Sequence, residues 1–383
     1  MKKILLSFFI AGASFVSMAQ QSETIESDRK NSEKVVQEIN IPKGAIATPV
    51  KNQQQTGTCW AFSTTSLLES QSIKNNTGAF DLSEMFTVRN IYIEKAKNYI
   101  LRQGKTQFGE GALGHDVIRS LAMYGAMPEN IYNGLHGDYT SFNHSIMVKD
   151  LKSYLDTLLN HLPIQSGWLN GYISILDKTM GIPPASFIFK SRSHTPQSFA
   201  KEVLRFNSND YINLTSFLHH PFYQSFIMEV PDNFSNGNYY NLPMNEITEA
   251  VKSALNNGYT VMWDADVSNF GFQAGTGFAR YQPSSQAGDS VIRKNSSYEL
   301  KYDEKERQRL FEDLTTQDDH LMHITGMEKG ADGKTYFIVK NSWGDNGPFK
   351  GYIKVTEAYF AMNTISIIVP RAGLPKKLAD KIR

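Results

Sequence analysis

A thiol, an imidazole and a carboxamide together can open an acyl bond through a covalent intermediate, and this sequence carries one such set. The chain has a single cysteine, Cys59, in the run Gln53-Gln54-Gln55-Thr56-Gly57-Thr58-Cys59-Trp60-Ala61-Phe62-Ser63. The apolar spacing after it (Ala61, Phe62, Leu67, Leu68) reads as a helix, which puts Cys59 at a helix N-terminus. There the dipole and the unpaired N–H groups favour a thiolate, so a largely ionised nucleophile near neutral pH is expected. Gly57 permits a tight turn before it, and Gln53 can aim its amide N–H₂ at an oxyanion beside the Cys59 N–H. A second cluster, Asp319-His320-Leu321-Met322-His323, starts an apolar strand. A third is Asn341-Ser342-Trp343-Gly344. A histidine at a strand start can present its ring across a cleft. An Asn side chain can fix its orientation, and a Trp two residues later can shield that bond from water.

These clusters resemble those of papain-like cysteine peptidases, in particular the branch of bleomycin hydrolase and aminopeptidase C. The motif Gln-x5-Cys-Trp-x-Phe is met by Gln53, Cys59, Trp60 and Phe62, and Asn-Ser-Trp-Gly by residues 341–344. The resemblance implies Cys59 as nucleophile, His320 as base, Asn341 as its orienter and Gln53 as oxyanion donor. It favours His320 over His323, because the family's histidine stands six residues before a strand glycine, here Gly326. His323 then faces the other side of the strand. The interval from Cys59 to His320 is about a hundred residues longer than the roughly 130–150 of papain and cathepsins, which agrees with the bleomycin hydrolase branch. Thr56 stands where secreted papain relatives carry a second cysteine. The family's substrate-binding glycine pair has no clear counterpart in Glu110-Gly111-Ala112-Leu113-Gly114. In that branch a C-terminal arm lies along the cleft, its terminal carboxylate holding the substrate amine. Residues 371–383 are the corresponding segment, although their five basic groups oppose an ammonium ion, and a solvated, frayed terminus is the alternative.

Placing such a triad takes two lobes. Helices are expected after Cys59, from Ser83 as N-cap, over 116–124 and over 244–256. Strands are expected over 259–263, 322–327, 335–340, 351–355 and 365–369. Helices early and a mostly antiparallel sheet late make the class α+β, as a two-lobed papain-like fold with insertions. The peptidase domain is expected over 45–370, with a less regular, aromatic-rich insertion around 146–235.

Before it, Lys2-Lys3, an apolar run from Ile4 to Val16 and Ser17-Met18-Ala19 read as a signal peptide cut before Gln20. Residues 20–44 read as a linker or short pro-segment. Export to a periplasm or the outside is therefore expected, with no stable membrane insertion. The net charge of +1 on 383 residues gives no reason to expect a nucleic-acid partner. The partner expected is a peptide or protein substrate; no metal or organic cofactor is implied, and a homo-oligomer is left open. The alternatives are a cell-wall peptide amidase and an inactive peptide-binding protein of the same fold. Asn-Ser-Trp-Gly opposes the first and the complete catalytic set the second.

Overall fold

The computed structural model describes residues 47–282 and 299–382, so the expected signal peptide and linker lie outside the described residues. Among those residues no helix is long and apolar enough to cross a membrane.

Helix α1 (Cys59–Lys74) starts directly after Gly57-Thr58 and is buried along nearly its whole length, Ser, Thr and Glu69 included. A helix buried all round cannot be amphipathic, so its polar side chains must find partners inside. Glu69 accepts from the Leu82 N–H at 2.8 Å and from the Thr48 hydroxyl at 2.5 Å. Helix α2 (Glu84–Leu101) begins where expected, with the Ser83 hydroxyl accepting from the Phe86 N–H at 3.0 Å. Helix α3 (Gly114–Tyr124) ends at Gly125, whose φ of 81° suits glycine; a Cβ there would lie 2.1 Å from the Pro196 carbonyl carbon.

The stretch 146–235 is more regular than its sequence suggested. It holds most of α4 (Ser145–Asn160) and all of α5 (Trp168–Met180), which bury Met147, Leu151 and Leu155, and Tyr172, Leu176 and Met180. Both sets repeat every fourth residue, the narrow stripe of a helix packed on one side only. A short hairpin follows, β1 (Phe187–Phe189) with β2 (Arg192–His194). Strands β3 (Tyr211–Thr215) and β4 (Ser225–Ile227) then enter the main sheet.

That sheet has ten strands in the order β4-β5-β3-β12-β6-β9-β10-β11-β8-β7. Its other members are β5 (Asn238–Asn241), β6 (Val261–Ala265), β7 (Phe272–Gln273), β8 (Phe278–Ala279), β9 (His320–Lys329), β10 (Thr335–Lys340), β11 (Tyr352–Thr356) and β12 (Thr364–Pro370). Pairing is antiparallel except for β3 with β5 and β8 with β11. Side-chain alternation gives it two faces. Met262, Leu321 and Ile368 pack with α1 and the other early helices. Trp263, Met322, Ile324 and Ile367 pack instead with Ile247, Val251 and Ala254 of α6 (Met244–Asn256). One sheet thus joins a helical lobe to a sheet lobe, the α+β architecture expected.

The C-terminal segment departs from expectation. Residues 371–382 do not run along the cleft; they fold onto α6, on the sheet face turned away from α1. Leu374, Leu378 and Ile382 are buried there, and the Ser253 hydroxyl donates to the Gly373 carbonyl at 2.9 Å. Burying each of these side chains is worth about 1.5–3 kcal/mol. The basic side chains are placed accordingly: Lys381 bonds Glu246 at 2.8 Å and Tyr223 at 3.0 Å.

Candidate active site

The start of α1 brings Cys59 up against the start of β9. The thiol is buried, at 7% exposure. Its sulfur accepts from the backbone N–H groups of Leu321 and Trp60, both of which favour the thiolate. Burial nonetheless outweighs them, and with the nearby Asp318 and Asp264 carboxylates it pushes the thiol up to about 12. His320 is lowered by the same burial, against the opposing effect of its bond to Asn341. Both shifts favour the uncharged thiol–imidazole pair. Desolvation thus opposes the thiolate that the helix start, with a dipole worth about 1 kcal/mol, favours.

His320 is fixed by two contacts. Its Nε2 donates to Asn341 Oδ1 at 2.8 Å, an oxygen that also accepts the Ser342 N–H at 2.8 Å. The Trp343 ring stacks on the imidazole with centroids 4.7 Å apart and planes 27° from parallel. The Asn bond sets the tautomer, so Nδ1 carries the lone pair. The sheet ladder carries this geometry: β10 ends at Lys340, paired with His323, and the next residue is Asn341.

Gln53 is equally constrained. Its Oε1 accepts from the Ser342 hydroxyl at 2.6 Å and its Nε2 donates to the Thr56 carbonyl at 2.7 Å. The Gln53 N–H donates to the Ser342 carbonyl at 2.8 Å. One N–H of the carboxamide remains to be given elsewhere. The loop before Cys59 is held by Glu110, whose Oε2 accepts the Gly57 N–H at 2.6 Å, while the Trp60 indole N–H donates to the Glu110 carbonyl at 3.0 Å.

His323 points away from this group. Its Nδ1 meets the Ser66 hydroxyl of α1 at 2.8 Å, and that hydroxyl accepts from Lys340 Nζ at 2.7 Å. Burial holds His323 well below the usual imidazole range, with Lys340 adding to the effect. Behind it lie Glu69, Lys51 and Glu84, the last two paired at 2.8 Å. This is an internal polar scaffold beneath the site.

The structure thus brings together the Cys59 start of α1, the His320 start of β9, Asn341 and Gln53. Sequence reasoning missed Ser342, which ties Gln53 to the Asn341 segment; its place inside Asn-Ser-Trp-Gly was the available signal. It also gave no role to Asp264 and Asp318, carboxyl groups close enough to act on the thiol.

Known proteins resemble much of this chain. Residues 165–383 match the Peptidase C1-like family, and residues 36–89 the papain family of cysteine proteases. Aminopeptidase C of Lactobacillus delbrueckii subsp. lactis is 23% identical over 88% of this chain and 82% of its own. Cysteine proteinase 1, mitochondrial, of Saccharomyces cerevisiae is 22% identical over 90% and 79%. The crystal structure of PepW from Lactobacillus rhamnosis HN001 superposes with a TM-score of 0.72 at 19% identity, covering 98% of this chain and 96% of that one.

Proposed function

Taking as premise that this chain belongs to the Peptidase C1-like family and is a papain-like cysteine peptidase, we propose that it hydrolyses peptide bonds through Cys59, His320 and Asn341, with Gln53 at the oxyanion. His320 Nδ1 takes the Cys59 proton as the sulfur adds to the peptide carbonyl. The oxyanion is held by the second Gln53 N–H and the Cys59 N–H. His320 then gives its proton to the leaving amine, and the C–N bond breaks to leave a thioester. Water, deprotonated by the same imidazole, hydrolyses the thioester and regenerates the thiol. The observation that carries the reading is the 2.8 Å His320–Asn341 bond beneath the Trp343 ring, beside the only thiol in the chain. Because burial disfavours charge on both groups, the base is read as acting during attack rather than before it.

The mode of attack is aminopeptidase action, after the relatives named aminopeptidase C. The test compares kcat/KM for a peptide series with free and with acetylated N-termini. A preference for the free amine of about tenfold or more is expected; equal rates make the enzyme an endopeptidase. The proposed place of action is outside the cytoplasm, on the strength of the charged start, apolar run and small-residue site in residues 1–19. N-terminal sequencing of the exported protein should begin at Gln20, and a sequence starting at Met1 rejects cleavage.

A further inference from the structure

The terminal carboxylate that would hold a substrate amine has no support from the fold, since residues 371–382 lie on the far face of the sheet. Another group of carboxyl side chains lies beside the thiol. In the β6–β9 ladder Asp264 stands opposite Leu321, the residue whose N–H meets the Cys59 sulfur. Residues directly opposite in a ladder point to the same face, so Asp264 faces α1, as Met262 and Leu321 do. It is completely buried, at 0% exposure. Its Oδ2 accepts from the Ser366 hydroxyl at 3.1 Å, whereas Oδ1 is buried with no hydrogen-bond donor, and the Asp318 carboxyl lies close to this side chain. Asp318, two residues before His320, is only half-buried. The charge of Asp232 acts on both. Asp232 presses on the backbone of Gly111, where a Cβ would lie 1.9 Å from its Oδ2. Gly111 follows Glu110, whose carbonyl carries the Trp60 indole. The β6–β9 pair and the Gly111 loop therefore bring these carboxyl groups together beside the start of α1. In the sheet order β6-β9-β10 this pocket lies across β9 from Asn341 and Trp343.

Three acids this close, one of them wholly buried, are costly without an equal number of cations. Lys95 acts on Asp232, but its Nζ is already committed to the carbonyls of Gly109 and Gly111. Burial, and then the charge of Asp232, hold Asp318 up to about 7. Burial and Asp318 hold Asp264 well above the carboxylate range. An arriving cation would relieve both costs.

We propose that Asp318, backed by Asp264 and faced by Asp232, forms the pocket that accepts a cationic group of the substrate, whether its α-ammonium or a lysine or arginine side chain. The inference rests on Cys59 being the reacting thiol, which places the pocket at the substrate. Its test is a binding measurement on Cys59→Ala protein, which reads the pocket without requiring turnover. Calorimetry would compare a tetrapeptide amide with a free N-terminus, its N-acetyl form, and N-acetyl forms carrying lysine at the first or second position. A cationic peptide should bind about tenfold or more tighter than the neutral one, and the arm that gains identifies the cation. Adding Asp318→Asn should erase most of that preference, and Asp232→Asn part of it, in variants whose thermal unfolding matches the parent. Equal affinity for charged and neutral peptides overturns the proposal. So does a variant in which both affinities fall by the same factor. Failure of the catalytic reading would show separately, as an intact-Cys59 enzyme that turns over neither the free nor the blocked peptides.

Discussion

Replacing Cys59 with alanine should abolish peptide hydrolysis, with a loss of about 10⁴-fold or more, the range seen when a covalent nucleophile is removed. The fold should survive. Cys59 sits at the first turn of α1, where alanine is the best helix former, and its side chain makes no disulfide. Only a sulfur is removed, so the stability cost is about 1 kcal/mol. Iodoacetamide should give the same result on the unaltered enzyme with one group incorporated, because the chain has one cysteine. The thiol is held up to about 12, so alkylation should be slow near neutral pH and accelerate as pH rises. Residual turnover by Cys59→Ala within tenfold of the parent would rule out the covalent route.

His320→Ala should reduce kcat by about 10²–10⁴, the range for a lost general base. His323→Ala should leave the chemistry in place and lower stability by about 2–4 kcal/mol, since it empties a buried site between β9 and Ser66 of α1. Rate and thermal unfolding measured on both variants separate the roles. A stable, inactive His323→Ala beside an active His320→Ala would exchange the two assignments. The pH profile adds a check on an N-blocked, uncharged substrate, which avoids the titration of Asp318. A protonated imidazole cannot accept the thiol proton, so activity is lost as pH falls through the His320 pKa. Burial lowers that pKa, which places the acidic limb below the ordinary imidazole value of about 6.5.

What could be read before folding was whatever is local. Cys59 at a helix start, Ser83 as a cap, and His320 and Asn341 at strand ends are each defined within about ten residues, where periodicity and capping chemistry act. Helices α4 and α5 were hidden because each buries a single stripe among polar residues. The C-terminal segment carried a comparable signal, Leu374, Leu378 and Ile382 at fourfold spacing, but resemblance pointed it to the cleft. The burial that opposes a charge on Cys59 was hidden for another reason: a helix start is visible in sequence, whereas the strands that bury it lie more than two hundred residues away. The same distance hid the acidic pocket. Asp232, Asp264 and Asp318 are ordinary acids along the chain and become a group only when β6, β9 and the Gly111 loop meet.

The joint between the two ends of the chain has a consequence for timing. Asn52 bridges to Trp343, the Gly344 N–H donates to the Lys51 carbonyl at 3.1 Å, and Lys340 reaches Ser66 and Thr48. A ribosome delivers residues 51–66 early and residues 320–344 almost last. Contacts of such long sequence separation close late. For most of its synthesis the nascent enzyme carries a thiol with no base, no oriented imidazole and no anchored Gln53. A peptidase built this way completes its catalytic group only when its final strands dock, whatever precedes Cys59 in the chain.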